Sequence, residues 1–285
     1  MIVGIGELLW DLYPDGRRVI GGAPFNFAFH CRQLGHDSAI LSRVGDDDLG
    51  RELRDCVRSL GVRDDWIQTD AEYPTGTVRV VLDANKVPTY TIAENAAWDF
   101  IEPGSALGSA GSASRLTALC FGTLALRSAK SRESILELVR MATGLRVLDV
   151  NIRPPFAPSG ATLERCFEAA DWVKLSSDDE RYLASGECRR PECRILTLGQ
   201  GGCEIEDQHH SKFRVPAAAA RVIDTVGAGD AFTAAMVCLH LEGRPLAECA
   251  RFANYYAASV CEHRGATPLL DRAAIERAAF GEPNR

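Results

Sequence analysis

Apolar residues follow two different rhythms along this chain, and each rhythm predicts one kind of secondary structure. Short apolar runs bounded by glycine are typical of buried strands, whereas apolar residues that recur every three or four positions are typical of helices. Leu49, Leu53 and Val57 recur in this way and predict a helix over 47–60. A second helix, over 24–34, opens with a proline, a residue favoured in the first helical turn.

The alternation of strands and helices continues over most of the sequence. Parallel strands need a crossover connection, usually a helix, so this alternation predicts an α/β fold. We expect a three-layer sandwich with a mostly parallel central sheet and helices on both faces. Strands are predicted over 1–9, 38–44, 116–121, 145–150, 172–175 and 194–198, and helices over 24–34, 47–60, 131–143, 161–170, 178–184, 228–242 and 246–261.

A change of rhythm predicts a second, smaller sheet. Residues 75–82 and 87–92 are rich in β-formers and are joined by a short polar turn, which is a hairpin signal. The polar excursion at 10–20 can join this hairpin outside the main core. We predict a single domain over 1–285 in which about 10–20 and 73–98 form this sheet, with a further hairpin from 203–206 and 213–215 and a loop at 104–114.

Composition and charge narrow the class of protein. The 285 residues carry 32 basic and 39 acidic side chains, a net charge of −7, which argues against nucleic acid or an anionic membrane as a partner. The longest apolar helical stretch, 231–241, is too short to span a bilayer, and the N-terminus lacks a basic signal segment. The ten cysteines are mostly scattered, without CxxC spacing, so we expect reduced, buried thiols in a cytoplasmic protein.

One short segment carries the strongest chemical signal. Residues 224–232 read Asp-Thr-Val-Gly-Ala-Gly-Asp-Ala-Phe, a turn of small residues directly before an apolar helix. Small residues let the amides of Gly227, Ala228 and Gly229 approach a phosphate, and the helix N-terminus adds N–H donors and partial positive charge. Asp230, in the first helical turn, is placed to accept a proton from an alcohol, and the helix dipole is expected to keep it ionised. The alternative is a first-turn Asp without chemical role.

This segment and two others together resemble one family. Residues 224–230 match the D-T-x-G-A-G-D signature of the ribokinase-like (PfkB) carbohydrate kinases. Residues 21–26 resemble the family's Gly-Gly-x-x-x-Asn signature, and residues 45–50 resemble its G-x-D-x-x-G element. The motifs fall in family order along nearly the whole chain. The resemblance implies a ribokinase-like fold with a small β-sheet lid, and ATP-dependent phosphorylation of a sugar hydroxyl.

The resemblance also assigns roles to individual residues. It implies that Asp230 is the catalytic base and that the amides of 227–229 form an anion hole. It implies that Asp11, Gly22 and Asn26 contact the sugar, which agrees with the need for short carboxylates and amides that pair with hydroxyls. A solvated turn residue is the alternative for Asp11, and a helix residue paired with backbone is the alternative for Asn26.

The nucleotide side of the resemblance is less complete. Residues 197–202 resemble the family's ATP-site loop, which implies nucleotide contacts from Thr197, Gly199 and Gly202, and Asn254 aligns with a residue near the adenine. A plain turn glycine and a simple helix residue are the alternatives for Gly199 and Asn254. The family's N-x-x-E motif, linked to Mg²⁺ and phosphate, is altered at both ends to Ser176 and Asp179. The resemblance therefore implies Mg²⁺ with ATP, with Ser176 near the nucleotide and Asp179 as an indirect metal contact.

Two motifs favour fructose as the substrate. Residues 21–26 read Gly-Gly-Ala-Pro-Phe-Asn, as in fructokinases, whereas ribokinases usually carry Lys after the two glycines. Residues 149–155 resemble the Asp-x-Asn-x-Arg-Pro-Pro stretch of fructokinases, which implies a substrate contact from Asn151. Ketodeoxygluconate kinases have a related stretch, so Arg153 has three possible roles: binding phosphate, binding a substrate carboxylate, or tying the loop to the sheet. The alternatives to fructose are ketodeoxygluconate, another sugar or a nucleoside.

Other chemistries lack their essential parts, and several partners follow from the resemblance. The sequence has no P-loop, no protein-kinase H-R-D and D-F-G set, and no third glycine for a dinucleotide fingerprint after the first strand. A sugar or nucleotide sensor of the same fold is the alternative outside catalysis. The resemblance implies a homodimer formed through the lid and a monovalent cation such as K⁺ near Asp224 and Gly265. Trp98 is interpreted as core, dimer packing or a sugar platform.

Overall fold

Two sheets organise the computed structural model, which describes residues 1–82, 88–102, 116–183 and 191–281. The strands in the described part are β1 Ile2–Ile5, β2 Leu9–Leu12, β3 Arg18–Gly21, β4 Ser38–Gly45, β5 Ile67–Asp70, β6 Gly76–Leu82, β7 Pro88–Ile92, β8 Ala118–Gly122, β9 Leu145–Asp149, β10 Trp172–Ser176, β11 Cys193–Thr197, β12 Cys203–Asp207 and β13 Lys212–Val215. The helices there are α1 Ala23–Gln33, α2 Asp48–Ser59, α3 Ala129–Met141, α4 Gly160–Ala169, α5 Ala228–Leu241, α6 Leu246–Cys261 and α7 Arg272–Phe280.

The large sheet has nine strands in the order β13-β12-β11-β10-β9-β8-β1-β4-β5. The pairs from β11 to β5 are parallel, and β12 and β13 add an antiparallel hairpin at one edge. The predicted α/β class with a mostly parallel central sheet is confirmed. Because the parallel strands all point the same way, their carboxyl ends meet at one edge, and the loops that follow them share that edge.

Alternation along β8 divides the core between the two faces of the large sheet. Ala118 and Cys120 join the cluster that contains α5 and α6, whereas Leu119 and Phe121 join the cluster that contains α3 and α4. Successive strand residues point to opposite faces, so one strand serves both layers of helices. All four residues are buried, as expected of a central strand covered on both sides.

The small sheet has four strands in the order β3-β2-β6-β7. β2 is antiparallel to β3 and parallel to β6, and β6 and β7 form the predicted hairpin, whose turn lies outside the described residues. The apolar run predicted as one strand over 1–9 is divided: β1 enters the large sheet and β2 enters the small one. The second sheet therefore starts directly at the carboxyl end of a central strand.

Three elements differ from the sequence prediction. The helix predicted over 178–184 is a short 3₁₀ turn at Glu180–Tyr182, with residue 184 outside the described part, because the Asp179 carboxylate accepts hydrogen bonds from the backbone and hydroxyl of Ser176. The short polar strand β5 was missed because it lacks an apolar alternation. α7 was also missed, although Asp271 caps it by accepting the Ala274 N–H.

The other expectations concern thiols, loops and membranes. The nine described cysteines are free thiols, and seven of them are buried, while Cys188 and the predicted loop at 104–114 lie outside the described residues. In the part of the chain that is described, no helix combines the length and the apolar character needed to cross a bilayer. Trp98 is fully buried in the core, so of its three interpretations core packing is confirmed.

Candidate active site

A cleft of about 860 Å³ lies between the carboxyl ends of the central strands and the small sheet. A smaller cavity of about 220 Å³ on the β12–β13 hairpin contains none of the predicted site residues. The cleft contains most of them, from segments far apart in sequence. These are Asp11, Gly22, Asn26, Asn151, Arg153, Gly227, Gly229 and Asp230.

The turn before α5 has the geometry of an anion cradle. Gly227 has a φ of +78°, and a Cβ at this position would lie 2.5 Å from the Cβ of Ala266, so only glycine fits. Gly227 and Gly229 face the cleft. Ala228 is not among the cleft residues, and its N–H donates to the Thr225 carbonyl at 3.3 Å. The amides of the first helical turn nevertheless give this end of the cleft partial positive character.

Asp230 lies on α5 beside this turn. Its Oδ2 accepts a hydrogen bond of 2.8 Å from Nδ2 of Asn26 on α1, although the two residues are 204 positions apart. Burial, together with the nearby Asp149 carboxylate, raises the pKa of Asp230 to about 6, although Asn26 and Lys174 act to lower it. Burial therefore has a larger effect on this pKa than the helix dipole. The carboxylate is half ionised near pH 6 and mostly ionised at neutral pH, where it can act as a proton acceptor.

Glu7 is a cleft residue to which sequence reasoning gave no role. Its side chain is buried, its Oε1 accepts the Ala23 N–H at 3.3 Å, and its Oε2 has no hydrogen-bond partner among the described residues. Burial raises the pKa of Glu7 to about 7, and the Asp230 carboxylate adds to the rise. Oδ1 of Asn26 is likewise buried without a partner in that part of the chain. The cleft thus holds two unpaired acceptors near Asp230, a pattern that marks a place for ligand donors.

A buried ion pair lies beneath the cradle and was also missed. Nζ of Lys174 is 3.0 Å from Oδ1 of Asp149, both side chains are buried, and Thr233 donates to the same carboxylate at 3.0 Å. A Cβ on Gly229 would lie 3.0 Å from this Nζ, so the ammonium sits directly under the first turn of α5. Burial acts to lower the pKa of Lys174, but the carboxylates of Asp149, Asp230 and Asp179 together outweigh it and raise the pKa, so the group stays charged. The signal in the sequence is a lysine inside an otherwise apolar central strand.

The predicted sugar-side residues surround the same space. Asp11 lies on β2, and burial raises its pKa to about 6. Gly22 has a φ of +113°, and a Cβ there would lie 2.2 Å from the Glu7 carbonyl oxygen, so the turn before α1 requires glycine. Asn151 follows β9 with a φ of +42°, a left-handed conformation that non-glycine residues adopt mainly at constrained, often functional positions.

Among the described residues that line this cleft, the basic one is Arg153. It is exposed, and its Nη1 donates a long hydrogen bond of 3.4 Å to the Ile152 carbonyl oxygen. Its charge lowers the pKa of both Glu7 and Asp230, which places it within electrostatic range of the two carboxyls. A guanidinium so placed can take up an anionic oxygen of a ligand.

The predicted nucleotide residues lie at the same sheet edge but outside the cleft. Ser176 and Thr197 are paired at the ends of β10 and β11. Gly199, with a φ of +54°, begins the turn after β11. Gly202 packs against β13, since a Cβ would lie 2.0 Å from the Val215 carbonyl oxygen. Asn254 is buried, and its Nδ2 donates to that same oxygen at 3.2 Å, so its amide joins α6 to the hairpin.

Asp179 is buried beside the cleft rather than in it. Its Oδ1 accepts the Ile152 N–H at 2.8 Å, and its Oδ2 accepts the N–H and the hydroxyl of Ser176 at 2.8 and 2.6 Å. These bonds hold the loop that carries Asn151 and Arg153. Within the described residues no cluster of three or more His, Cys, Asp or Glu is arranged to hold a metal ion.

The fold and the cleft together define a class: a phosphotransferase with a ribokinase-like fold that acts on small hydroxylated substrates. The family model described as "pfkB family carbohydrate kinase" matches residues 12–273. The chain belongs to this family and is an ATP-dependent sugar kinase.

Individual relatives agree with this assignment. The chain is 31% identical to a fructokinase of Klebsiella pneumoniae, over 82% of each sequence. It is 31% identical to sugar kinase PH1459 of Pyrococcus horikoshii, over 95% of this chain and 94% of the relative. The ATP complex of PH1459 superimposes with a TM-score of 0.87 over 97% of both chains. A fructokinase of Vibrio cholerae with fructose, ADP and calcium, 24% identical over 98% of both chains, shares the fold with a TM-score of 0.85.

Proposed function

We propose that the protein is a fructokinase that transfers the γ-phosphoryl group of ATP to a primary hydroxyl of fructose. The observation that carries this proposal is the convergence of Asp230 and the Gly227–Gly229 turn with Asp11 and Asn26 in one cleft. Phosphoryl transfer needs positioning, charge stabilisation and a proton acceptor, and this cleft contains residues suited to each.

Each residue has a defined part in the proposed reaction. Asp230 accepts the proton of the attacking hydroxyl, and Asn26 orients the carboxylate through their 2.8 Å hydrogen bond. The amides of the α5 N-terminus, supported from below by Lys174, stabilise negative charge on the transferring group. Arg153 supplies an exposed positive charge in the cleft. Mg²⁺, when bound with ATP, neutralises charge on the phosphate oxygens.

The sugar side of the proposal rests on short polar side chains. Asp11, Asn151 and the unpaired oxygens of Glu7 and Asn26 can pair with the vicinal hydroxyls of a sugar. The Gly-Gly-Ala-Pro motif and the fructokinases among the relatives favour fructose within this class. The small sheet, in a single domain over 1–285, is proposed to close over the sugar as a lid and exclude water that would compete as nucleophile.

Two further partners belong to this proposal. Asp224 accepts the N–H groups of Val226 and Gly265 at 3.1 and 2.9 Å, so it joins the cradle to the segment where K⁺ would bind. A Vibrio cholerae fructokinase variant is described with potassium, fructose and ADP, which supports testing K⁺. The second is another copy of this chain, in a homodimer formed through the lid, and Val81 lies 49% exposed on the small sheet that would form this interface. Light scattering coupled to size exclusion tests the dimer, and a mass of one chain would contradict it.

The test is a substrate panel with ATP consumption and phosphorylated product measured together. Fructose, glucose, ribose, ketodeoxygluconate and a nucleoside are compared with and without K⁺, and we expect the highest kcat/KM for fructose. NMR of the product identifies the phosphorylated carbon. Turnover that prefers a nucleoside to every hexose would overturn the fructokinase proposal, and ATP use without phosphorylated product would favour a sensor.

A kinase for ketodeoxygluconate is the second candidate. The observation that favours it is Arg153, an exposed guanidinium in the cleft that can bind a substrate carboxylate. An Arg153→Gln variant separates the two. For a carboxylate-binding role the variant raises KM for the acid alone, whereas for a phosphate-binding role it lowers turnover of every substrate.

A further inference from the structure

His30 is a fully buried histidine to which neither the family motifs nor the proposed reaction gives a role. It lies on α1, with Nε2 2.8 Å from the Ala266 carbonyl oxygen and Nδ1 3.1 Å from the Tyr256 hydroxyl. A carbonyl oxygen can only accept, so Nε2 carries the hydrogen and Nδ1 accepts from the hydroxyl. Burial lowers the pKa of His30 to about 4 and raises that of Tyr256, so both groups keep these roles near neutral pH.

The segment that His30 holds lies directly behind the anion cradle. Ala266 packs so closely on Gly227 that a Cβ there would lie 2.5 Å from the Ala266 Cβ. The neighbouring Gly265 N–H donates to Asp224 Oδ2 at 2.9 Å, and Asp224 Oδ1 accepts the Val226 N–H. The 265–266 segment therefore fixes the turn before α5 from two sides.

The same helix also reaches Asp230. Asn26 lies four residues before His30, so the two side chains share one face of α1, one turn apart. Asn26 bonds Asp230 on the first turn of α5, while His30 bonds the segment that backs Gly227. α1 is thus attached to the catalytic end of α5 at two points, one direct and one through Ala266.

We propose that His30 is a positioning residue that sets the anion-hole turn in register with Asp230. Its Nε2–H holds the 265–266 segment at a fixed distance from α1, and that segment holds Gly227. Ala266 is buried, and a buried carbonyl that loses its donor costs free energy, so the position of the segment depends on this bond. The expected change in kcat rests on the proposed kinase function, whereas the expected change in hydrogen exchange does not.

A matched pair of amides tests the proposal. In His30→Gln the side-chain Nε2 can reach the Ala266 carbonyl, whereas the shorter amide of His30→Asn can reach only Tyr256. We expect kcat to fall about tenfold to a hundredfold in the Asn variant and to stay near wild type in the Gln variant, because small misplacements at a reacting centre are costly. Hydrogen exchange of the amides at 225–230 should rise in the Asn variant alone.

The controls separate positioning from general stability and from the choice of substrate. His36→Asn removes a half-buried ion pair with Glu242, in the turn after α1, and should leave kcat and exchange at 225–230 unchanged. Equal kcat and equal exchange in the two His30 amides would overturn the proposal. If no substrate in the panel is phosphorylated, the proposed function fails, and the exchange at 225–230 alone decides the positioning role.

A further variant, Tyr256→Phe, tests the proposal in case both His30 variants fail to fold. Tyr256→Phe removes a single hydroxyl and frees one side of the His30 ring, so exchange at 225–230 should increase moderately. Should both His30 amides unfold, unchanged exchange in Tyr256→Phe would overturn the proposal, and increased exchange confined to 225–230 would support it.

Discussion

Replacement of Asp230 by Asn should make the protein less active and more stable. Burial raises the pKa of Asp230 from 3.8 to about 6, and a shift of that size corresponds to about 3 kcal/mol between its protonation states. The raised pKa means that the folded chain binds the proton more tightly than the unfolded chain. The contribution of this group to stability is therefore fully present below about pH 4 and is lost as pH rises through about 6, after which its whole free-energy cost is present.

Asn removes that cost while it keeps an oxygen that accepts the Asn26 hydrogen bond. At pH 8 we expect the Tm of Asp230→Asn to rise by about 6 °C, since about 1 kcal/mol shifts the Tm of a domain of this size by about 2 °C. The gain should shrink as the pH is lowered to 5. Turnover should fall by roughly 10²–10⁴, the usual contribution of a general base.

Calorimetry at pH 5 and pH 8, together with an ADP-coupled assay, measures both effects. The matched control is Asp48→Asn, which removes a first-turn carboxylate that is exposed on α2. It should keep full activity and lose a few tenths of a kcal/mol of stability, up to about 1 kcal/mol. An Asp230→Asn protein with near-normal turnover, or with a Tm at pH 8 no higher than wild type, would refute the reasoning.

Three further predictions concern neighbouring residues. Gly227→Ala should lower Tm and reduce kcat at least about tenfold, because a left-handed alanine costs about 1–2 kcal/mol and its Cβ meets Ala266; unchanged values would contradict the tight fit. Glu7→Gln should reduce the loss of Tm between pH 5 and pH 8, because burial raises the pKa of Glu7 to about 7 and its ionisation destabilises the fold in that range. Calorimetry across that range checks this, and equal changes of Tm with pH in the variant and the wild type would argue against it. Arg153→Gln should leave Tm within about 0.5 kcal/mol of wild type yet lower kcat/KM at least about tenfold, and a matching loss of Tm would point to a structural role.

The layered fold could be predicted from sequence because its signals are local. Apolar strands of four to eight residues and amphipathic helices such as α2 can be recognised from the spacing of apolar residues within each element. β5 and the turn at Glu180–Tyr182 could not be predicted this way, because both are short and polar and their conformation depends on partners elsewhere. The pairing of β2 with β6 across some 60 intervening residues is likewise set by tertiary packing.

The site residues that could be predicted from sequence are those whose backbone conformation requires a particular residue type, here glycine. Gly227 and Gly22 are required by positive φ and close approach, and such positions leave glycines in recognisable motifs. Lys174 and Glu7 were missed because their importance comes from burial beside other charges, and burial is a property of the assembled fold. The raised pKa of Asp230 was missed for the same reason, since the helix dipole is visible in sequence and desolvation is not.

The chain can bind an anion despite its net charge of −7 because positive charges lie close to the proposed binding site. Lys174 is buried under Gly229, in surroundings where a charge acts at short range with little screening by salt. Asp149 neutralises much of that charge, but it also holds the ammonium in place at 3.0 Å. The helix N-terminus adds its partial charge on the cleft side, and Arg153 adds an exposed positive charge in the same cleft. The positive charges that a bound phosphate would meet are therefore local to this end of the cleft, although the net charge of the chain is negative.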